Sequence, residues 1–475
     1  MLSLLIRNAE VEGQGGCDVR IANGHIAAIG AELPRLGDEP QLDAEGAALL
    51  PGLHDHHLHL YSLAASLASL ACGPPQLSGA AQLAAALHAA PLDPASPWLR
   101  GIGYHESVAG EIDRDWLDQH GPQRPVRIQH RSGRLWLFNS IALQQLAVGE
   151  GADPLERVQG RATGRLYDAD DWLRTRLPRQ RVTLHAVSSL LASYGVTGLT
   201  DTTPQNAAES WQGFVAAQLR GELLQKLMLM GDGSLDALAD QPGLLRGAHK
   251  FHLHEHELPS FEALCADIRQ SHRAGRGAAF HCVTRTDLVF ALAALREAGA
   301  HAGDRIEHAS VTPPEQLAEL QAQGLTVVVQ PHFISERGDQ YAENVALEDQ
   351  PWLYRLRSLL DAGVPLAGGS DAPFGAPDPW AAMQAAVTRH TRSGVVMGAA
   401  EALTPEQALA LFTTPLENPG AAPRRIAVGQ AADLCLLDRP WAQARDDLSA
   451  VRVRQTWRDG VSIWARRFDA LVQLG

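Results

Sequence analysis

Cysteine is scarce in this 475-residue chain. The five cysteines are widely separated and form no CxxC pair: Cys17, Cys72, Cys265, Cys282 and Cys435. This spacing fits neither a disulfide framework nor a cysteine zinc site, and it is typical of a reducing compartment. We therefore predict a cytoplasmic protein.

Positive charge and long apolar runs are also scarce. The 40 lysines and arginines are outnumbered by 54 aspartates and glutamates, and the formal net charge is -14. Nucleic acids and anionic membranes attract clustered positive charge, so neither is an expected partner. The apolar stretch after Met1 is too short for a signal peptide, and no run reaches the roughly 18 apolar residues that a spanning helix needs. The expected partner is a small-molecule substrate.

Histidine, by contrast, is concentrated in one stretch, PGLHDHHLHL at 51–60. Successive side chains of a strand alternate between its faces, so Asp55, His57 and His59 share one face, opposite His54 and His56. Leu58 and Leu60 share the face of His54 and His56, which indicates that this second face packs against apolar neighbours. The pattern predicts that His57 and His59 bind one metal ion, and a solvated histidine-rich turn is the alternative.

The middle of the chain alternates helix-like segments with apolar runs that end in polar residues. Besides 51–60, these runs lie at 195–203, 223–232, 250–256, 277–283, 304–310, 324–332 and 364–373. Eight such strands alternating with helices predict an α/β fold, a (β/α)8 TIM-like barrel whose active site lies at the carboxyl ends of its strands.

Both ends of the chain show strand and turn patterns, with hairpin signals at Asn23-Gly24 and Asp459-Gly460. We predict a small β-sandwich domain built from 1–50 and 425–475, a metal-binding barrel from 51–73 and 181–424, and an insertion after the first barrel strand at 74–180. The insertion is either a lid over the barrel mouth or a passive surface excursion. Its Trp98 and Trp136 are expected in its own core.

The residues that end the predicted strands are of one chemical kind. Imidazole and carboxylate are the ligands of zinc and similar divalent metals, and here they recur at His57, His59, His281, His308 and Asp371. A single histidine at a strand end is more often a packing residue. Agreement across separate strands favours a metal site.

Five motifs follow one another along the chain, namely PGLHDHHLHL, FHCV, RIEHAS, GGSDAP and GQAADLCLLD. In their order and spacing the chain resembles the amidohydrolase superfamily of metal-dependent hydrolases, and within it the family-3 branch of YtcJ-like and N-substituted formamide deformylase-like proteins. The resemblance covers nearly the whole chain. It implies one or two divalent ions, zinc by preference, with the ligands His57, His59, Lys250, His281, His308 and Asp371.

The role of Lys250 depends on its chemical state. In similar proteins a lysine at this strand carries CO2 as a carbamate and bridges two metals. A protonated amine repels a cation, so Lys250 is a ligand only if it is carboxylated. The alternatives are a structural lysine paired with an acid, or a ligand role for His252 or His254, which share its face; His256 is expected in the solvated loop.

The resemblance implies hydrolysis by metal-bound hydroxide, because bound zinc lowers the pKa of water to about 7. Asp371 would take the proton from the water and return it to the leaving nitrogen, and with a single ion His308 would steer the oxyanion. We expect cleavage of an amide-like C–N bond in an N-acyl, N-formyl or cyclic amide. Deamination of an amino-substituted ring and hydrolysis of an ester or lactone are alternatives, and a metal-free scaffold is the least expected. The resemblance also suggests a homodimer, although a monomer is equally open.

Candidate substrate contacts come from polar residues outside the ligand set: Tyr104, His105, Arg131 and Arg134 in the insertion, and His332 at the seventh strand end. Related proteins often have histidine where Arg134 stands. That departure indicates either an anionic substrate or a surface replacement.

Overall fold

The structure, a computed structural model, describes residues 3–74, 76–92, 97–149, 153–177, 182–253, 255 and 258–466. It forms two compact units, one made of residues 1–60 and 184–475 and the other of residues 61–183. Within the described ranges, every helix is too short or too polar to cross a membrane.

The chain begins with five strands of one sheet: β1 (Ser3–Val11), β2 (Gln14–Ala22), β3 (His25–Gly30), β4 (Gln41–Asp43) and β5 (Ala48–Pro51). The turn between β2 and β3 places Asn23 at φ 52° and Gly24 at φ 81°. Positive φ at both positions is what a two-residue hairpin turn requires, and Asn-Gly adopts it readily. The predicted hairpin is confirmed. Strand β6 (Leu53–Leu58) follows and is buried at every position.

The second unit is an insertion with its own sheet. Its elements are α1 (Leu60–Leu67), β7 (Leu70–Ala71), α2 (Ala80–Ala89), β8 (Leu99–Tyr104), α3 (Glu106–Ala109), α4 (Arg114–His120), β9 (Val126–His130), β10 (Leu135–Phe138), α5 (Ser140–Gln145), β11 (Leu155–Val158), β12 (Arg161–Tyr167) and α6 (Asp170–Arg176). The strand order is β11-β12-β10-β9-β8-β7. The unit starts at 61, whereas the predicted boundary was 74, because β7 pairs with β8 and joins this sheet.

The insertion has two apolar clusters. Trp98 and Trp136 belong to one of them, at 7% and 6% exposure, as expected for core residues. Tyr104 belongs to the other.

The chain then completes the barrel. The elements are α7 (His185–Ser193), β13 (Val196–Asp201), α8 (Ala208–Leu219), β14 (Lys226–Gly231), β15 (Leu244–His252), α9 (Phe261–Arg273), β16 (Ala278–Cys282), α10 (Arg285–Ala298), β17 (Arg305–His308), α11 (Pro314–Ala322), β18 (Thr326–Val329), α12 (His332–Asn344), α13 (Leu356–Asp361), β19 (Leu366–Gly368), α14 (Pro379–Thr388) and α15 (Pro405–Thr413). Short 3-10 turns lie at Gly233–Ala237, Gln350–Trp352, Ala399–Glu401 and Leu448–Ala450.

The eight parallel strands lie in sequence order, β6 followed by β13 to β19. Two backbone hydrogen bonds join the end of the first strand to the segment after the last: Asp371 N donates to His57 O at 2.6 Å, and His59 N donates to Ala372 O at 2.9 Å. The predicted (β/α)8 barrel is confirmed. One strand was placed too late, since β15 starts at Leu244 and not at 250. Arg246 and Gly247 interrupt the apolar pattern of its first half.

The chain returns to the first sheet through β20 (Leu434–Leu437), α16 (Trp441–Ala444), β21 (Val453–Arg458) and β22 (Val461–Ala465). Strand β20 pairs antiparallel with β5, which gives the order β22-β21-β20-β5-β1-β2-β3, with β4 beside β1. Ile6 and Val19 from one end share an apolar cluster with Leu436 and Trp457 from the other. Both chain ends therefore build one β domain, as predicted; residues 467–475 of the predicted range lie outside the described residues.

Candidate metal centre

Three side chains converge where the barrel closes. His57 and His59 come from the end of β6, and Asp371 lies in the loop after β19. His57 Nε2 lies 3.4 Å and His59 Nε2 3.2 Å from the Asp371 Oδ1 atom. One ligand atom from each residue lies within 4.8 Å of the others, which is close enough for one ion to bridge all three.

The backbone around this cluster is strained and tightly packed. Asp371 has φ 52° and His308 has φ 71°, which are left-handed conformations that cost energy for residues other than glycine and are common at functional sites. Gly369 packs so closely on His57 that an added Cβ would lie 2.5 Å from His57 Cβ. A glycine is therefore needed here for packing.

Asp55 ties the two ligand-bearing segments together. Its Oδ1 accepts hydrogen bonds from Ser370 N at 2.9 Å and from His57 N at 3.1 Å. Complete burial raises the pKa of Asp55 to about 6. This carboxyl thus fixes the loop before Asp371 against the end of β6.

Glu307 orients His57 from inside the barrel. Its Oε2 accepts a hydrogen bond from His57 Nδ1 at 2.5 Å, and the side chain is fully buried. Arg305 donates to both Glu307 oxygens, at 2.5 and 2.9 Å, and to His56 O. Burial opposes ionisation, but the charges of Arg305, Lys250 and His57 outweigh it and hold the pKa of Glu307 well below its usual range. A carboxylate on Nδ1 leaves Nε2 to face a metal.

The other imidazoles are oriented in the same way. His59 Nδ1 lies 2.9 Å from Thr203 Oγ1, and His308 Nδ1 donates to Gln330 Oε1 at 2.7 Å. The His308 ring lies 4.8 Å from that of His57 and 4.6 Å from that of His281. Burial, helped by the charge on His57, lowers the pKa of His308 to about 3, and burial also lowers the pKa of His281. Neutral imidazole is the form that binds metals.

Lys250 lies on β15, buried, and its Nζ has no hydrogen-bond partner among the described residues. Burial lowers the pKa of Lys250 to about 8, which increases the fraction of neutral amine. The ring of His252, on the same strand, lies 4.2 Å from that of His281. His254 and His256 lie outside the described residues.

The opposite face of β6 is more polar than predicted. His54 Nδ1 lies 2.9 Å from Thr414 O, and His56 Nε2 lies 2.9 Å from Thr414 Oγ1. Both rings are buried against the segment that follows α15. Their role is structural, because these hydrogen bonds replace the apolar contacts expected for this face.

Four predicted substrate contacts lie in the insertion. Tyr104 is 2% exposed and its hydroxyl donates to Gly110 O at 2.6 Å, while His105 Nδ1 accepts from Ser107 N at the start of α3. Arg134 is exposed and donates to both Asp168 oxygens, at 2.7 and 2.6 Å. Arg131 is exposed as well. Structural partners inside the insertion account for Tyr104, His105 and Arg134.

His332, at the start of α12, supports the metal centre from behind. It is 1% exposed, and its Nε2 donates to Ser370 O at 2.9 Å, one residue before Asp371. This hydrogen bond links His332 to the segment that carries Asp371. A contact between His332 and the substrate stays a prediction.

The donor set fits a divalent transition metal. Three ligand atoms converge, two further imidazoles are held neutral beside them, and the buried Lys250 amine lacks a partner among the described residues. Sequence reasoning missed Glu307 and the tie made by Asp55. The acid in RIEH was visible, but nothing local indicated that it faces a histidine 250 positions away.

Comparison with known proteins also indicates a metal-dependent hydrolase. A family model described as "Amidohydrolase family" matches residues 41–463. The N-substituted formamide deformylase of Arthrobacter pascens is 26% identical over 98% of this chain and 99% of its own length, and the putative amidohydrolase YtcJ of Bacillus subtilis is 24% identical over 90% of each. A crystal structure of an uncharacterized metal-dependent hydrolase from Pyrococcus furiosus has a TM-score of 0.74 at 19% identity, covering 92% of this chain and 99% of that one.

Proposed function

The chain belongs to the amidohydrolase family, and from this premise we propose that it hydrolyses an amide-like C–N bond of a small molecule at the centre formed by His57, His59 and Asp371. Family membership makes it a metal-dependent hydrolase that acts on carbon–nitrogen bonds. The substrate class, the ligand set and the roles of the residues are our proposal.

The observation that carries the proposal is the convergence of two imidazoles and a carboxylate at the carboxyl end of the barrel strands. A divalent metal held there lowers the pKa of a coordinated water and polarises a substrate carbonyl. Zinc is the ion that we propose, since imidazole and carboxylate are its usual ligands. His281, His308 and a carboxylated Lys250 complete the ligand set.

Asp371 is the proposed general base and acid. Burial opposes its ionisation, but hydrogen bonds from His57 and His59 outweigh burial and hold the pKa of Asp371 well below its usual range. The carboxylate is therefore ionised at neutral pH, and we assign to it the transfer of a proton from the attacking water to the leaving nitrogen. His308 lies beside it with a neutral ring that can orient the substrate oxygen.

The proposed substrate is an N-formyl or N-acyl amine or a cyclic amide. The name of the Arthrobacter relative supports N-substituted formamides as the first compounds to assay. We also propose a cytoplasmic location, which the five free, buried cysteines support.

The deciding experiment measures metal per chain in wild type and Lys250→Ala, purified without added metal, together with formate release from N-substituted formamides. We expect two equivalents in wild type and one or fewer in the variant. One equivalent in both proteins would make Lys250 structural. Release of ammonia from amino-substituted rings would show that the enzyme is a deaminase and not an amide hydrolase. Folded protein that contains no metal would overturn the proposal.

The chain offers a matched control, because Lys226 and Lys250 are its only lysines. After exposure to isotopically labelled CO2, a carbamate carbon signal that persists in Lys226→Arg and disappears in Lys250→Arg would assign the carbamate. Lys226 pairs with Asp433 and Asp459, neither of which is a proposed ligand, so its replacement leaves the ligand set intact.

A further inference from the structure

The insertion contains a cavity of about 770 Å³ that the metal centre does not use. It lies on one face of the insertion's sheet, below the end of α1 and beside α6. Trp98, Trp136 and Leu173 give it apolar walls. Its volume falls within the range of known small-molecule sites, about 300–1,000 Å³.

Two arginines enter this cavity side by side. Arg100 on β8 and Arg127 on β9 are directly opposite in the parallel register of these strands. Val126 and Ile128, the neighbours of Arg127, belong to the apolar cluster on the other face of the sheet, as the alternation of strand side chains requires. Like charges directly opposite one another destabilise a sheet.

No carboxylate among the described residues forms an ion pair with either arginine. Arg100 Nη1 donates to Ser69 Oγ at 3.2 Å, while the buried Nε of Arg127 has no hydrogen-bond partner in the described ranges. Asp170 also lines the cavity, but its Oδ1 accepts from Trp136 Nε1 at 2.8 Å. Arg100 and Arg127 therefore lie in the same cavity as one aspartate, which neither of them contacts as an ion pair among the described residues.

Aromatic rings compensate the two charges only in part. The guanidinium carbon of Arg127 lies 5.6 Å from the ring centre of Trp136 and 5.9 Å from that of Trp98, and that of Arg100 lies 5.9 Å from Trp136. Ring faces attract cations but do not replace in-plane hydrogen-bond acceptors. Burial, together with the charge of Arg100, lowers the pKa of Arg127 to about 10. Among the described residues, no carboxylate oxygen accepts a hydrogen bond from either guanidinium in this cavity.

We propose that this cavity binds an aromatic oxyanion, a small molecule with a flat apolar ring and a carboxylate or phosphate group. The oxyanion would accept hydrogen bonds from Arg127 and Arg100, whose planar forks match carboxylate and phosphate oxygens. The ring would pack against the indoles of Trp98 and Trp136. All of these residues belong to the insertion, so this site is separate from the metal ligands and does not depend on the proposed function.

The test is isothermal titration calorimetry of the full-length, metal-loaded enzyme with two probes, benzoate and phenyl phosphate. We expect saturable binding of at least one, and the stronger of the two identifies the oxyanion. Benzamide, which has the ring without the charge, and inorganic phosphate, which has the charge without the ring, should each bind at least about tenfold more weakly. Equal binding of phenyl phosphate and inorganic phosphate would overturn the aromatic part of the proposal.

Substitutions of Arg127 test whether the probe binds in this cavity. Arg127→Gln should lower the affinity for the more tightly bound probe by about tenfold or more. Arg127→Lys keeps the charge but loses the planar guanidinium, so its affinity should lie between those of Arg127→Gln and wild type. The matched control is Arg161→Gln, because Arg161 is an arginine of the same sheet that pairs with Asp115 and is 61% exposed. If the probe binds all variants equally, it binds elsewhere and the proposal is wrong.

Thermal unfolding separates this cavity from the metal centre, because a probe bound at the metal centre would stabilise wild type and Arg127→Gln alike. Without any probe, Arg127→Gln should unfold at a higher temperature than wild type, because it removes a half-buried positive charge from beside Arg100. With saturating probe, wild type should gain stability and Arg127→Gln should not. Loss of stability in Arg127→Gln without probe would show that Arg127 is an ordinary structural residue and would overturn the proposal.

Discussion

The metal centre and the insertion cavity are opposite in their electrostatics. In the barrel, Asp371 and Glu307 bring buried negative charge to His57, and imidazole nitrogens offer lone pairs at the same place. In the insertion, the half-buried Arg100 and Arg127 bring positive charge together, and no acid of the described residues forms an ion pair with them. The charge that each region leaves uncompensated indicates the ligand it suits, a cation in the barrel and an anion in the insertion.

The largest effect is expected from Asp371→Asn, which removes both a ligand charge and the proposed general base. We expect kcat/KM to fall by about a thousandfold or more, with loss of bound metal. Kinetics and elemental analysis of the same preparation check this. Asp361→Asn on α13, whose side chain is 67% exposed, is the control; a fall of less than tenfold for Asp371→Asn would remove it from the chemistry.

Glu307→Gln should have the next largest effect. The amide still accepts a hydrogen bond from His57 Nδ1 but loses the charge that strengthens Nε2 as a ligand, so metal affinity should fall by about 10- to 100-fold. Competition with a chelating dye measures the dissociation constant. The exposed Glu315 of α11 supplies the control Glu315→Gln. Unchanged affinity in Glu307→Gln would limit its role to pairing with Arg305.

A smaller effect is expected from His332→Ala. It removes the hydrogen bond to Ser370 O behind the Asp371 loop, and the free energy of unfolding should fall by about 1–3 kcal/mol. Denaturant unfolding checks this, with the exposed His185 as the site of the control His185→Ala. If stability is unchanged while KM rises, His332 is a substrate contact as first predicted.

The smallest effect is expected from Arg134→Ala. Among the residues that the structure describes, Arg134 forms one ion pair, with Asp168 on the surface of the insertion, and such pairs contribute little. Activity and unfolding temperature should both match wild type. A tenfold rise in KM for an acidic substrate would restore Arg134 as a substrate contact.

Much of the barrel was predictable because its signals are local. Apolar runs that end in His, Lys or Asp marked all eight strands, and alternation of side chains placed His57 and His59 on the same face as Asp55. Only the start of β15 was missed, where Arg246 and Gly247 hide the strand. The two hairpin turns were equally local, since Asn-Gly and Asp-Gly adopt positive φ readily.

The insertion was less predictable because its sheet depends on register. Arg100 and Arg127 lie in two separate stretches of the sequence, and nothing in either stretch indicates that they occupy directly opposite positions of neighbouring strands. The phenol ring of Tyr104 is typical of residues that contact a ligand, and only the packing of the insertion shows that its hydroxyl donates to Gly110 O.

The sequence by itself determined the order of the strands, the identity of the histidines and aspartate at their ends, and the meeting of the two chain ends in one sheet, because periodicity and residue chemistry act locally. Tertiary structure alone decided that Glu307 orients His57, that Asp55 holds the Asp371 loop, and that two arginines share one cavity. Each of these depends on side chains far apart in sequence reaching one place, and burial there makes every unpaired charge costly.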